Sequence, residues 1–240
     1  MSGVSTNYRQ LEPGEVEQVA AECAEAWKAE MIPIRQYQLA ARKELEAYRA
    51  GDLMTEPFHT LVNCMRALPV EFLHSVPSLL DVGASGGYYR DVLRIAGLMF
   101  RYTGCDFSES FRRLAQELYP DIKFDMADAR QLPYENQSFD VVLSGACMMH
   151  VREYSKVLSE AARVAKKYVV LHRTPVLTTK PTTFYRKEAY SVPCLECHFN
   201  EAELFDLFRE NRLCVINKET VFWEPEKSFG HLTYLLEKVA

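Results

Sequence analysis

Apolar positions fall into two regimes along the chain. Up to about residue 75 they recur at helical spacing. Val16, Val19, Ala20, Cys23 and Trp27 stand at i, i+3, i+4, i+7 and i+11, which predicts a helix from Glu15 onwards. Pro33 interrupts that pattern. A second helix then carries Ile34, Tyr37, Ala41, Leu45 and Tyr48 on one face, with Gly51 after its end. A shorter third helix surrounds Phe58, Leu61, Val62 and Met65 before Pro69. Residues 1–14 read as irregular, with Pro13-Gly14 as a break.

From Pro77 the pattern switches to short apolar runs separated by helical stretches. Runs at 79–82, 100–106, 122–126, 139–144 and 168–172 predict five strands. The first is followed by a helix that Gly97 stops. Ser108 is placed to cap the next, whose inner face is Phe111, Leu114, Ala115 and Leu118. Another carries Tyr154, Val157, Leu158, Ala161 and Val164. Residues 174–199, rich in Thr and Pro, read as a long irregular loop, and a loop of that length is often functional. Asn200 and Glu203 predict a capping box on a helix with Leu204, Leu207 and Phe208 inward. Two last strands, near 214–222 and 231–237, form a hairpin. The whole predicts an α/β fold: a Rossmann-like, doubly wound, mostly parallel seven-stranded sheet with an antiparallel C-terminal hairpin. Residues 1–75 form a helical N-terminal extension, read as a cap or a dimerisation element. The α/β domain covers 76–240.

Composition narrows the function. The 240 residues are 48% hydrophobic and 25% charged, as in globular proteins. A formal net charge of -5 argues against a general nucleic-acid binder. Residues 1–15 are polar and hold no signal-peptide core, and no apolar run reaches the roughly 20 residues of a membrane span. A cytoplasmic protein without a membrane partner is expected. Seven cysteines without even spacing are read as free thiols.

The chemistry gathers around Leu79-Leu80-Asp81-Val82-Gly83-Ala84-Ser85-Gly86-Gly87. A strand, a turn of small residues and a helix make a nucleotide-binding corner, because glycines let the backbone approach a ligand and a helix start offers free N–H groups. The dinucleotide spacing Gly-x-Gly-x-x-Gly fails, since Ser85 and Tyr88 occupy the second and third glycine positions. The pattern acidic-x-Gly-x-(Gly/Ser)-x-Gly is complete at Asp81, Gly83, Ser85 and Gly87. It resembles the first motif of the class I S-adenosylmethionine-dependent methyltransferases. The stretch from Leu132 to Val142 is similar to the "LPF…D.SFDVV" segment of small-molecule methyltransferases of the quinone-biosynthesis type. The Asn/Asp-Pro-Pro-Tyr signature of base or amide N-methylation is missing from the fourth strand, and a terminal antiparallel hairpin agrees with the class I fold.

The resemblance implies S-adenosylmethionine as cofactor, a small-molecule acceptor and no metal. Asp106 ends the second strand, where a carboxylate can accept from both hydroxyls of a ribose, as the matching acid does in the family. Phe107 beside it either packs on adenine or has a core or lid role. Asp128 and Ala129 resemble the family's adenine-reading pair. Ser144 and Gly145 leave the fourth strand where the family holds the methyl donor, alongside Gly83, Ala84 and Ser85. His150 is a candidate general base, with a structural role as the alternative. His172 and Arg173, at the end of the fifth strand, are candidates for the acceptor, Arg173 for a carboxylate or phosphate on it. Cys194-Leu195-Glu196-Cys197-His198 spells the pattern of covalent haem attachment. Without an export signal, the thiols are read as packing residues, with structural zinc as the alternative. Non-catalytic S-adenosylmethionine binding and a nicotinamide-dependent oxidoreductase remain the other functional readings. The acceptor, the methylated atom (O, N or C) and the oligomeric state, a homodimer through the N-terminal helices included, stay open.

Overall fold

The computed structural model describes residues 8–28, 34–189 and 192–239, and the side chains of 34–39, Ala189 and Val192 are not considered. Residues 1–7, the Pro33 break and the inward faces of Ile34 and Tyr37 lie outside the described residues.

Five parallel strands form the centre, and each is an apolar run of the kind a two-sided parallel sheet requires. They are β2 (Ser78–Val82), β3 (Arg101–Asp106), β4 (Lys123–Met126), β5 (Phe139–Gly145) and β6 (Ala165–Leu177). At the other end β9 (Leu213–Glu224) and β10 (Phe229–Lys238) make the predicted hairpin, and β10 pairs antiparallel with β6. The central order is β4-β3-β2-β5-β6-β10-β9. The reversal of winding between β2 and β5 opens a crevice above their C-terminal ends. Helices α5 (Tyr89–Ile95), α6 (Glu109–Leu118) and α7 (Tyr154–Val164) cross between strands. Leu80, Val142, Val169 and Leu158 are fully buried in the core on one face; Leu79, Val141, Val170 and Leu93 are buried in the core on the other.

The first 75 residues hold α1 (Val16–Lys28), α2 (Ile34–Arg49), α3 (Glu56–Arg66) and a further short α4 (Val70–His74). They also hold a strand the pattern did not show, β1 (Tyr8–Gln10). It is too short for period-two alternation to register.

The expectation of an irregular 174–199 is overturned. β6 runs on to Leu177, and β7 (Thr183–Ala189) and β8 (Val192–Asn200) form an antiparallel hairpin that β1 extends. β8 joins the main sheet through the end of β6, so the described strands make one ten-stranded sheet. Pro175, Pro181 and Pro193 disguised these strands in the sequence. Proline is tolerated where its missing N–H is not needed by a partner strand. α1 covers the hairpin: Val16, Val19, Cys23 and Ala26 pack with Leu11, Leu195 and Phe111.

Two capping expectations also change. Ser108 precedes α6, but its hydroxyl donates to the Trp27 carbonyl (2.9 Å) instead of capping. Asn200 caps α8 (Glu201–Glu210), its Oδ1 accepting from the N–H groups of Ala202 (3.0 Å) and Glu203 (3.1 Å). The capping box is not closed, because Glu203 accepts from Thr182 N–H (3.2 Å) and Asn200 N–H donates to the Thr182 hydroxyl (2.9 Å). Asn200→Ala removes both cap bonds and should lower stability by about 1 kcal/mol. Chemical denaturation of the two proteins measures the difference; an unchanged midpoint would show that α8 is held by packing of Leu204 and Phe208 alone.

Candidate functional site

The glycine turn after β2 is built by backbone bonds. Gly83 (φ 72°) and Ala84 both donate their N–H to the Cys105 carbonyl at 2.9 Å, which bends the chain back over β3. Left-handed backbone suits Gly83, and the Cys147 side chain lies where a Cβ there would stand. Ser85 follows at φ 49°. Its N–H donates to Asp106 Oδ2 (3.0 Å), while Asp106 Oδ1 accepts from Ser108 N–H (3.0 Å). Asp106 therefore bridges the turn above β2 and the turn above β3. It stands at the end of its strand and is only 6% exposed. Burial pushes its carboxyl up to about 6, against the N–H bonds from Ser108, Ser85 and Phe107.

Asp81 lies near it and is fully buried. Tyr102 donates its hydroxyl to Asp81 Oδ2, and Oδ1 has no hydrogen-bond partner. Burial pushes Asp81 up to about 7; the Tyr102 bond opposes this and the Asp106 charge adds to it. Two further buried polar atoms lack partners, Ser144 Oγ and His172 Nε2. All three orphans sit on adjacent strands, where Val82 stands opposite Ser144 and Gly145 opposite His172. Buried polar atoms are rarely left unpaired, so a cluster of them at the mouth of a sheet is a place prepared for a ligand.

Backbone strain marks the same place. Ser85, Ala146 (φ 55°) and Arg173 (φ 58°) are non-glycine residues held in the left-handed region. Ser85 and Ala146 follow β2 and β5, and Arg173 lies within β6. Ala146 is held by its N–H bond to the His172 carbonyl (2.9 Å). Gly145 is covered by the Tyr89 ring, with 2.2 Å between that ring and a Cβ built there.

The remaining sequence candidates are spread around this centre. Phe107 is 37% exposed and Met126 45% exposed, at the ends of the neighbouring strands β3 and β4. Both are exposed apolar side chains next to Asp106, which stands opposite Met126 in the β3–β4 register, and Met126 was not singled out from sequence. Asp128 is partly exposed and paired with Arg130 (2.7 Å), whose hydrogen bond lowers its carboxyl, and Ala129 packs against the core. His150 ends a 3-10 turn (Met148–His150), and its Nδ1 lies 2.6 Å from the Leu195 carbonyl on β8. A carbonyl only accepts, so Nδ1 carries the proton and Nε2 is the basic nitrogen. Burial lowers the His150 imidazole, favouring the neutral form. His172 is buried, its Nδ1 2.8 Å from the Thr233 hydroxyl, and burial, with Arg173 and His231, drives its imidazole well down.

Cys147, which the sequence reading passed over, stands at the centre of the site against Gly83. Its thiol is pushed up by burial and by Asp106, Asp81 and Asp128. Only its offset of three from Ser144 hinted at this. Tyr102, on the strand beside β2, carried no sequence signal at all.

Cys194, Cys197 and His198 do not form the group their spelling suggests. They lie on an extended strand, where positions three apart face opposite ways. Cys194 is in hydrogen-bond contact with Cys23 of α1, and Cys197 is buried in the main core. Among the described residues no cluster of three or more His, Cys, Asp or Glu is arranged to hold a metal, and no helix is long and apolar enough to cross a membrane.

Comparisons with known proteins point the same way. A methyltransferase-domain family model matches residues 80–171. The demethylmenaquinone methyltransferase of Renibacterium salmoninarum is 35% identical over 103 residues, 42% of this chain and 43% of that protein. The ubiquinone/menaquinone biosynthesis C-methyltransferase UbiE of Rickettsia akari is 29% identical over 159 residues, 59% of this chain and 62% of that one. The chain thus spans about half the length of the curated relatives it matches. A crystal structure of Burkholderia thailandensis 1,6-didemethyltoxoflavin-N1-methyltransferase, with its substrate and S-adenosylhomocysteine, superposes with a TM-score of 0.57. It covers 98% of this chain and 94% of its own at 17% identity, a likeness of fold. Residues 80–171 match a methyltransferase domain, and the chain is similar in sequence there, and in fold, to S-adenosylmethionine-dependent methyltransferases.

Proposed function

We propose that the protein methylates a small-molecule acceptor with S-adenosylmethionine. The observation that carries this reading is the pair of buried acids, Asp81 and Asp106, next to three unpartnered buried polar atoms at the C-terminal edge of the sheet. Such a site lacks positive charge and hydrogen-bond partners. S-adenosylmethionine carries a sulfonium, an ammonium, a ribose diol and an adenine.

Asp106 would hold the ribose. Ser85 N–H donates to one of its oxygens and Ser108 N–H to the other, and the carboxylate keeps acceptor capacity for a ribose hydroxyl. Phe107 and Met126 would flank the adenine, and Asp128 with the Ala129 N–H would read its edge, Asp128 sharing itself with Arg130. Gly83, Ala84, Ser85 and Gly87 would form the floor, and Asp81, Ser144 and Gly145 would meet the amino-acid end. When bound, the cofactor supplies an electrophilic methyl carbon on a sulfonium that leaves as a neutral thioether. The protein's share is then positioning, which supplies most of the rate where little charge develops. His150 Nε2 would take the proton from an acceptor hydroxyl or N–H.

α1 supports a cap role for the N-terminal segment. Trp27, near its end, lies with ring centroids 5.9 Å from His150 and 5.5 Å from Phe111, and its carbonyl holds Ser108 beside Asp106. The relatives named for menaquinone and ubiquinone biosynthesis favour an acceptor of the conjugated-ring kind.

Asp106 provides the test. Asp106→Ala removes acceptors for two charge-assisted bonds and should weaken S-adenosylhomocysteine binding on the order of 100-fold, about 3 kcal/mol. It should also lower the melting temperature, because the Ser85 and Ser108 N–H groups lose their partner. Asp106→Asn keeps one acceptor oxygen and should be milder in both respects. Titration calorimetry measures the affinities. Binding to folded Asp106→Ala within about threefold of wild type would place the ribose elsewhere.

A further inference from the structure

β3 carries a tyrosine at position 102, where a strand buried on both faces asks only for an apolar ring. Tyr102 is buried in the same core as Leu79, Val141 and Phe124. A buried phenol hydroxyl needs a partner, so a tyrosine here marks a bond that phenylalanine could not make. The strand register supplies that partner. Tyr102 stands opposite Leu79, and Gly104 stands opposite Asp81. Residues two apart on a strand share a face, so Tyr102 and Asp81 lie on one side of the sheet as diagonal neighbours. Gly104 has no side chain to compete, and the Phe124 ring fills its place, 2.5 Å from a Cβ built there. The same ring lies 2.6 Å from a Cβ built at Gly87 in the glycine turn, and its centroid is 6.3 Å from that of Tyr102. One aromatic ring thus braces both the turn and the tyrosine.

The bond that results divides the two oxygens of Asp81. Oδ2 accepts from the Tyr102 hydroxyl, and Oδ1 is buried without a partner. A carboxylate held on one oxygen by a neutral donor keeps its orientation and leaves the other oxygen free to accept from a ligand. The other titratable groups facing Asp81 are Cys105 and Asp106 on β3, Tyr89 on α5 and Cys147 after β5. None of these carries positive charge. Burial and Asp106 work against the charged form of Asp81, and the Tyr102 bond favours it.

We propose that Tyr102 is a positioning residue of the cofactor site, fixing Asp81 so that its free oxygen meets the ammonium at the amino-acid end of S-adenosylmethionine. The proposal rests on the methyltransferase reading, which supplies that ligand. Tyr102 touches no ligand itself and acts through Asp81. Removing its hydroxyl takes away the bond that favours the carboxylate, so Asp81 stays protonated to higher pH. The loss of affinity is then largest in mild acid and is recovered as rising pH restores the charge.

Titration calorimetry on the whole protein tests this with S-adenosylhomocysteine and with 5′-methylthioadenosine, which keeps adenine, ribose and thioether but lacks the amino-acid end. Wild type, Tyr102→Phe, Asp81→Asn and the double variant are compared at pH 6.5 and pH 8.5. Tyr102→Phe is expected to weaken S-adenosylhomocysteine binding at least about tenfold at pH 6.5 and no more than about threefold at pH 8.5. It should leave methylthioadenosine within about threefold at both, and add no loss to Asp81→Asn. No loss at pH 6.5, equal loss at both pH values, equal loss for both ligands, or a further loss on the Asp81→Asn background would overturn the proposal. Melting temperatures establish that each variant is folded. If Tyr102→Phe alone is not, the Asp81→Asn background decides, since no carboxylate is buried there beside the missing hydroxyl. Any of those adverse results in a protein that binds S-adenosylhomocysteine leaves the methyltransferase reading standing. Wild type that binds neither ligand removes that reading and the proposal with it.

Discussion

The Asp106 carboxylate is held by the Ser85 N–H on one oxygen and the Ser108 N–H on the other, each at 3.0 Å. Ser85 belongs to the glycine turn above β2 and Ser108 to the start of α6 above β3, so one side chain sets the width of the crevice between them. Backbone N–H groups stabilise a carboxylate without contributing net charge. They do not remove the cost of burying it, and Asp81 nearby adds a second acid with one oxygen unpaired. The fold therefore keeps two carboxylates in a low-dielectric place where their charged forms repel. That arrangement costs stability and persists because the sheet and its turns over-determine it.

Everything around the pair is consistent with a site that is completed by a cationic ligand. Cys147 and Tyr89 pack against Gly83 and Gly145, where side chains larger than hydrogen would collide. Ser85, Ala146 and Arg173 hold strained backbone on the strands that bound the crevice. Rossmann-like sheets place ligands at this edge because the strand order reverses there. The part of the chain that departs from the common plan is the β1-β7-β8 sheet with α1 across it. It brings Leu195 to His150 and Trp27 to the same imidazole, joining the variable part of the molecule to its chemical centre.

The sequence made the central sheet legible because parallel strands buried on both faces must be continuous apolar runs, as Leu79–Val82 and Val141–Leu143 are. The glycine turn was legible because left-handed backbone restricts the residue types that occupy it. The end of β6 and the hairpin were not, since Pro175 and Pro193 fall inside these strands, Pro181 stands between them, and the hairpin's polar face reads as loop. Asp106 was placed correctly at the end of its strand, but its burial follows from α1 and α6 closing over it, which no local pattern records. Glu196 shows the same limit: a glutamate between two cysteines reads as surface until the topology stacks Tyr8, Lys187 and His198 around it. Ser108 and Glu203 sit where capping rules put them, yet their side chains bond across the fold to Trp27 and Thr182, because tertiary partners competed successfully with the local ones.

If the buried pair awaits a cation, binding S-adenosylmethionine must change its ionisation. With Asp81 raised to about 7 and Asp106 to about 6, the free pair still holds protons near pH 6.5. A bound sulfonium and ammonium favour the charged forms and lower both carboxyls, so protons leave. Titration calorimetry at pH 6.5, in two buffers of different ionisation enthalpy, reads this directly. The account predicts release of a sizeable fraction of a proton per cofactor bound, reduced when Asp81 is replaced by Asn. Binding without proton exchange, or with proton uptake, would contradict it.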